Sequence, residues 1–279
     1  MCLIAFTLGQ NRHFPLVLAA NRDEFFDRPT RAMDWWQTGA GTPVLAGQDL
    51  KSGGTWLAIS ADGRISAVTN VREGAGVTGH RSRGELPLLA LEESRQDLFR
   101  TLAGTAGDYA GFNLLCLDSG SGWYYSNRDA HPGRNIFRGS FGLSNHLLQT
   151  PWPKLLRLRQ SVTDVVSTAN ADAPALHERL VSLLQDPTPA PDHLLPDTGV
   201  GRDTERFLSS PFITGTDYGT RATTVITVDA TGYIRVSEQS WGPMAEKGEC
   251  RQFGWQRQSA RSGIIAEKFC HPTGGPDGR

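Results

Sequence analysis

The feature that most constrains this chain is a recurring one: two short apolar runs of strand length with turn chemistry between them. Cys2 to Leu8 and Phe14 to Ala20 are separated by Gly9-Gln10-Asn11-Arg12. Thr55 to Ser60 and Arg64 to Asn70 flank Ala61-Asp62-Gly63, and Phe112 to Leu117 and Trp123 to Asn127 flank Asp118-Ser119-Gly120-Ser121-Gly122. Late in the chain, Thr223 to Val228 and Tyr233 to Glu238 are joined across Ala230-Thr231-Gly232. Each pair reads as a hairpin, hence as antiparallel sheet. Phe141 to Ser144 adds a short strand closing at Asn145.

Helical spacing enters in three places. Leu155, Leu158, Val162, Val165 and Val166 recur at three- and four-residue steps, which predicts a one-faced helix to about Thr168, packed on a sheet. Pro174 suits a first helical turn, and Leu176, Leu180, Leu183 and Leu184 continue a second helix until Pro187 stops it. Gly84 to Thr101 reads as a mixed, helical region in which Pro87 fits only near a helix start. The Pro-rich run Asp186 to Pro196 reads as a surface connection. Sheets with helices grouped outside them indicate an α+β fold.

Composition sets the boundaries of function. A chain of 279 residues with 38% hydrophobic content can bury one core of stacked sheets. A net charge of −1 and the lack of any Lys/Arg-rich run offer no footprint for nucleic acid. No stretch approaches the ~20 apolar residues of a membrane span, and Met1 to Leu8 lacks the basic region and cleavage site of a signal peptide, so the cytoplasm is the expected compartment. Cys2, Cys116, Cys250 and Cys270 lie far apart, which suggests neither a disulfide framework nor a paired-cysteine metal site. Beyond Trp241, Gly, Pro and charge dominate. A single domain is therefore expected over residues 1–240, followed by a C-terminal extension over 241–279 with Thr273 to Arg279 disordered.

The chemistry concentrates at the start of the chain. Cys2 follows Met1 directly, and the run Asn21-Arg22-Asp23-Glu24 closes the first hairpin. Removal of Met1 leaves Cys2 with both a thiol and a free α-amino group, whose unperturbed pKa of ~7.7–8.0 lets it accept a thiol proton near neutral pH. The hairpin places Cys2 beside Arg22 or Asp23 at one sheet edge. Asp23 is expected to open a loop, and Asn70 to end a strand. The alternatives are structural: a buried strand cysteine, Asx-turns at the asparagines, a cap at Asp23 and a local ion pair at Arg22.

An ordered series of motifs extends the argument: Met1-Cys2-Leu3-Ile4, Ala19-Ala20-Asn21-Arg22-Asp23-Glu24-Phe25, Asp27-Arg28-Pro29, Leu45-Ala46-Gly47 and Gly53-Gly54-Thr55-Trp56-Leu57. Thr69-Asn70, Ser82-Arg83-Gly84, Gly111-Phe112-Asn113-Leu114-Leu115, Gly142-Leu143-Ser144-Asn145, Thr150-Pro151-Trp152-Pro153-Lys154 and Tyr218-Gly219-Thr220-Arg221 follow in order. On these, residues 1–240 resemble the NRDE family, also called the transport and Golgi organization protein 2 family, itself similar to N-terminal-nucleophile hydrolases of the cysteine type. The resemblance implies a four-layer αββα sandwich of two mainly antiparallel sheets between helical layers. It also implies a site made of Cys2 as nucleophile, Arg22 and Asp23 after strand two, Asn70 and Asn145 as amide donors, and Arg221 as a late guanidinium. In that scheme Asn70 is the first choice for the oxyanion, Asn145 orients the amine or supplies a second donor, and Asp23 holds the ammonium. A cation such as Arg22 or Arg221 beside the sulfur would favour thiolate, or grip a substrate carboxylate. Arg and Asp are adjacent here, where the hydrolase pattern spaces them two apart, so only one of the pair is expected to face the site; Arg28 and Asp27 stand in reserve.

Two function classes follow from the resemblance. One is an amidohydrolase acting on a small acyl amide, needing no cofactor. The other is a carrier of a hydrophobic ligand, haem or an acyl-coenzyme A or lipid, in which Cys2 or a His would ligate haem iron and Arg22, Arg28 or Arg221 would meet propionates or phosphates. The remaining motifs are weak. Lys51-Ser52-Gly53-Gly54-Thr55 lacks the lysine of a phosphate loop and reads as a turn into a strand. The seven His show no metal-ligand spacing. His80 with Arg81 and Arg83 reads as a solvated basic loop, with anion binding as the alternative. Trp35, Trp36, Trp56 and Trp152 read as core or pocket wall.

Overall fold

A computed structural model describes residues 2–74, 78–257 and 267–269. The chain opens with β1 (Cys2–Leu8) and β2 (Leu16–Phe25), then forms β3 (Thr30–Gln37), β4 (Pro43–Asp49), β5 (Leu57–Ser60) and β6 (Ile65–Asn70). After α1 (Leu86–Glu92) and α2 (Arg95–Thr105) come β7 (Phe112–Leu117), β8 (Gly122–Ser126), β9 (Arg134–Ile136) and β10 (Gly139–Leu143). Helices α3 (Pro153–Ser167), α4 (Ala173–Leu184) and α5 (Arg202–Phe207) precede β11 (Tyr218–Val228), β12 (Tyr233–Trp241), β13 (Lys247–Gln256) and β14 (Glu267–Phe269).

Two antiparallel sheets result. One runs β10-β1-β2-β11-β12-β13-β14, the other β3-β4-β5-β6-β7-β8-β9. Strand alternation decides what each face meets. Ile4, Phe6, Leu8, Leu16, Leu18 and Ala20 point to the core between the sheets, together with Leu57, Ile59, Ile65, Leu115 and Leu117 of the second sheet. Leu3, Ala5, Val17 and Ala19 face the other way, onto Leu155, Leu158, Val162 and Val166 of α3 and Leu176, Leu180 and Leu184 of α4. Val68, Phe112 and Leu114 similarly meet Leu86, Leu98 and Leu102 of α1 and α2. The fold is therefore a four-layer αββα sandwich. Both faces of the central strands are covered, which is why they read as continuous apolar runs rather than alternating ones.

The helices start where their sequences predict. Pro153 opens α3, Asp172 caps α4 by accepting from the Ala175 N–H at 3.0 Å, and Pro87 lies in the first turn of α1. Among the described residues no helix is long and apolar enough to cross a membrane.

Three expectations need correction. The first concerns β2, which does not stop at Ala20 with a loop opening at Asp23. It continues to Phe25 because β11 pairs with it along the way, Tyr218 opposite Phe25 and Thr220 opposite Asp23. The β3–β4 hairpin and α5 carry no clear apolar period and were not anticipated; β3 is a half-exposed edge strand, held where Glu238 accepts from the Met33 N–H at 2.8 Å. Finally, the Gly- and charge-rich stretch past residue 240 is not all outside the sheet. Its residues 247–256 form β13, paired with β12, and bury Phe253 and Trp255 between the sheets. Residues 273–279 lie outside those described.

Candidate functional site

Register brings the first two motifs together. Cys2 is the Cα partner of Arg22 across β1 and β2, so the thiol and the guanidinium emerge side by side at the sheet edge. Successive strand residues point oppositely, which separates Arg22 from Asp23. Arg22 faces a cleft of about 460 Å³ whose lining includes Cys2, Glu24, Arg28, Trp56 and Asn70. Asp23 points behind the sheet, 1% exposed, and accepts from the Thr220 hydroxyl at 2.8 Å. Adjacent in sequence, the two residues thus point to opposite sides of the sheet beside Cys2.

Arg22 is 6% exposed, and its guanidinium lies over the Trp56 ring at 4.1 Å. Trp56 reaches that position because Gly47 has no side chain; a β-carbon there would collide with the indole. Glu24 approaches Arg22 only to 3.9 Å, and Nη1 of Arg22 has no hydrogen-bond partner among the described residues. Arg28 is more fully engaged, donating to Asp49 at 2.6 Å and to Ser52 at 3.0 Å. Its place is the cleft wall.

Asn70 ends β6 and lines the same cleft, and its side-chain amide makes no hydrogen bond among the described residues. Its backbone is held firmly. Asn145 Nδ2 donates to the Asn70 carbonyl at 3.0 Å, and the Arg72 N–H donates to the Asn145 carbonyl at 2.7 Å. Thr69 donates to the Ser144 carbonyl at 2.7 Å, while Asn113 donates to Thr69 and to the His146 carbonyl, each at 3.0 Å. The Thr-Asn, Gly-Phe-Asn and Ser-Asn motifs therefore meet as one buried network that pins the end of β6. Asn145, 0% exposed, takes part in that network through Nδ2, and its Oδ1 accepts from the Ser144 hydroxyl at 3.5 Å.

Arg221 lies apart from this group. It sits at the register shift between Thr220 and Ala222, and its Nη1 donates to the carbonyls of Phe25 and Arg28 at 2.8 and 2.6 Å. It clamps the turn after β2 and is absent from the cleft lining. Opposing influences act on the thiol itself. Burial pushes the Cys2 pKa up; the amino terminus and Arg22 pull it back, and Asp23 and Glu24 oppose them. Burial outweighs the cations, so the net shift is upward.

Residues not singled out as site positions surround this group. Arg83, from the Ser-Arg-Gly motif, lines the cleft with His80 and Arg81, and its loop touches Gly54 so closely that a β-carbon there would overlap the Gly84 carbonyl. Behind the strand that carries Cys2, Lys154 is 3% exposed and donates to the Leu208 carbonyl at 2.7 Å. Burial brings its pKa down to about 8, partly offset by Asp23 and Glu205. Arg72 forms a buried ion pair with Glu205 and stacks on Trp152 at 4.9 Å. Lys154 and Arg83 belonged to recognisable motifs; Glu205 lies in a charged run that reads like any solvated face. Among the described residues, no group of three or more His, Cys, Asp and Glu is gathered as a metal ion would require.

Comparison with known proteins agrees with the motif pattern. The family model described as Transport and Golgi organisation 2 matches residues 1–243. The Transport and Golgi organization protein 2 homolog of Bos taurus is 35% identical over 262 residues, covering 86% of this chain and 93% of its own. Transport and Golgi organization protein 2 of Drosophila melanogaster is 26% identical over 280 residues, covering 89% and 95%. Among solved structures, the C2A mutant of conjugated bile acid hydrolase from Clostridium perfringens aligns at TM-score 0.49 and 9% identity, covering 98% of this chain and 97% of that one. The N-acylethanolamine-hydrolyzing acid amidase ortholog of Caenorhabditis elegans aligns at TM-score 0.39 and 9% identity, covering 64% and 85%.

Proposed function

The chain belongs to the transport and Golgi organisation 2 family, and we propose that it is an amidohydrolase whose nucleophile is Cys2 once Met1 has been removed. The observation that carries this reading is the convergence of the Cys2 thiol and the uncommitted Asn70 amide on one cleft. A thiol held protonated by burial needs a base, and the α-amine of a processed Cys2 is the nearest one. It takes the thiol proton, and the sulfur bonds to the substrate carbonyl carbon. Asn70 donates to the oxygen as it becomes negative, a contact typically worth about 2.7–4 kcal/mol at such a position.

Collapse of the tetrahedral species breaks the C–N bond. The ammonium returns its proton to the departing nitrogen, leaving a thioester on Cys2. Water then adds to the thioester with the amine again as base, the C–S bond breaks, and a carboxylic acid leaves with the thiol restored. Asp23 and Lys154 sit on the far side of the strand, where they set the charge around the amine. Arg22, stacked on Trp56, faces the substrate side.

Intact mass of the native protein should lack Met1, and a screen of acyl amides should give turnover that disappears in Cys2→Ala. Quantitative retention of Met1 on active protein would sink the free-amine mechanism. A saturable haem Soret shift lost on Cys2→Ala, with no acyl amide hydrolysed, would replace hydrolysis by ligand carriage.

A further inference from the structure

A second cavity, of about 590 Å³, opens against the first. It has the size of a small-molecule site, for which ~300–1,000 Å³ is usual. Its walls are largely apolar: Phe25, Val71, Val200, Phe207, Leu208 and Tyr218. Phe25 is 54% exposed and Phe207 42% exposed, although a folded chain gains by covering such rings. Both lie within reach of Tyr218, at ring-centroid distances of 5.0 and 6.2 Å. Asn70, Arg83 and Ala110 line both cavities, so the apolar groove begins where the proposed oxyanion donor stands.

The two cavities differ in charge. Four arginines, Arg22, Arg28, Arg81 and Arg83, line the cleft that holds Cys2, against two carboxylates, Glu24 and Asp49. Arg28 is paired with Asp49 and Arg81 with Glu85. Arg83 forms no ion pair among the described residues; its Nη1 donates to the Gly111 carbonyl at 3.0 Å. Together with Arg22, which lines the same cleft, it places cationic side chains on the cleft side of Asn70. At the groove, apart from the shared Arg83, the charged groups are paired: Glu73 is held by Arg128 and Arg72 by Glu205.

Building on Cys2 as the nucleophile, we propose that the substrate is an amphiphilic N-acyl amino acid. Its hydrocarbon acyl arm lies in the groove of Phe25, Phe207 and Tyr218, its scissile carbonyl at Asn70, and its carboxylate against Arg83 and Arg22 in the cleft. A substrate spanning Asn70 satisfies both cavities at once, since burial of the arm drives binding while the Arg83 guanidinium selects an anion over a neutral group.

The test uses N-acylglycines with acyl chains of two to twelve carbons and the matching uncharged N-methylamides. Binding to full-length Cys2→Ala protein, by calorimetry, separates recognition from turnover. Affinity should rise about fourfold per added methylene until the groove is filled. Phe207→Asp should flatten that series, and Arg83→Gln should weaken the N-acylglycines about tenfold or more while leaving the N-methylamides unchanged. Affinity independent of chain length, or equal losses for charged and neutral amides in Arg83→Gln, would overturn the assignment. The two readings fail separately. Chain-dependent binding without hydrolysis by processed wild-type protein supports the subsite and removes the hydrolase; hydrolysis of short amides with no gain from longer chains keeps the hydrolase and removes the subsite.

Discussion

Two buried polar clusters on the first sheet illustrate how differently the same chemistry can be used. His177 of α4 is 4% exposed, with Nδ1 2.8 Å from the Ser237 hydroxyl and Nε2 3.0 Å from that of Thr227. Both ring nitrogens are satisfied within the protein. Arg22 is buried to nearly the same degree, yet one of its nitrogens has no partner and its neighbour Asn70 leaves an amide free beside a cleft. Closed networks return the cost of burial as stability, whereas open ones hold it in reserve for whatever enters. The comparison predicts that substitutions at the open cluster act on turnover and those at the closed cluster act on folding.

The largest effect should come from Cys2→Ala, which should remove turnover by about a thousandfold or more while leaving the urea midpoint unchanged. Loss of folding cooperativity in this variant would return Cys2 to the structural class. Next, Asn70→Ala should lower kcat about 100-fold with little change in KM, and should cost nothing further when added to Cys2→Ala. A change confined to KM would make Asn70 a ground-state contact.

Glu205→Ala tests an intermediate case, because it leaves Arg72 buried beside the site without its carboxylate. Urea denaturation should register a loss of about 3–5 kcal/mol, and a stability change below 1 kcal/mol would mean that Arg72 reaches water. His177 sharpens the comparison through pH. Burial holds its pKa down to about 3, with Arg235 adding to the effect, so the unfolded chain binds the proton first as pH falls through about 6.5. Its stabilising contribution is full above that pH and declines below it by up to about 1.4 kcal/mol per unit until the folded pKa is reached. Urea midpoints measured between pH 7 and 4 should fall less steeply in His177→Asn. An unchanged slope would show that the imidazole is not sealed.

Arg221→Ala should have the smallest effect. Loss of the clamp on the Phe25 and Arg28 carbonyls should cost roughly 1–2 kcal/mol, with kcat and the pH profile of Cys2 alkylation by iodoacetamide unchanged. A shifted alkylation profile would restore Arg221 to the thiol's surroundings.

The N-terminal part of the site was legible because it is local. Cys2 and Arg22 lie on one hairpin, and the turn between apolar runs is enough to place them opposite each other. The helices α3 and α4 were legible for the same reason, their period being written in consecutive turns. By contrast, β3 is a half-exposed edge strand with little alternation, and β13 is polar along its first half, so neither announces itself without the neighbour that pairs with it. The acceptors that Asn145 and Arg221 meet were not legible, since residue type says what a side chain can donate but not which acceptor will be nearest.

The sequence by itself thus determined the stacked antiparallel sheets, the outer helices and the juxtaposition of Cys2 with Arg22, all consequences of apolar period and short turns. Only tertiary structure decided which donors stay free. Asn145 is consumed by the Asn70 carbonyl and Arg221 by the turn after β2, while Asn70, Arg22 and Arg83 keep hydrogen-bonding capacity at the cleft. That division depends on contacts between segments more than seventy residues apart, and a hydrogen bond goes to the partner that the packed chain brings within about 3 Å, which no local pattern encodes.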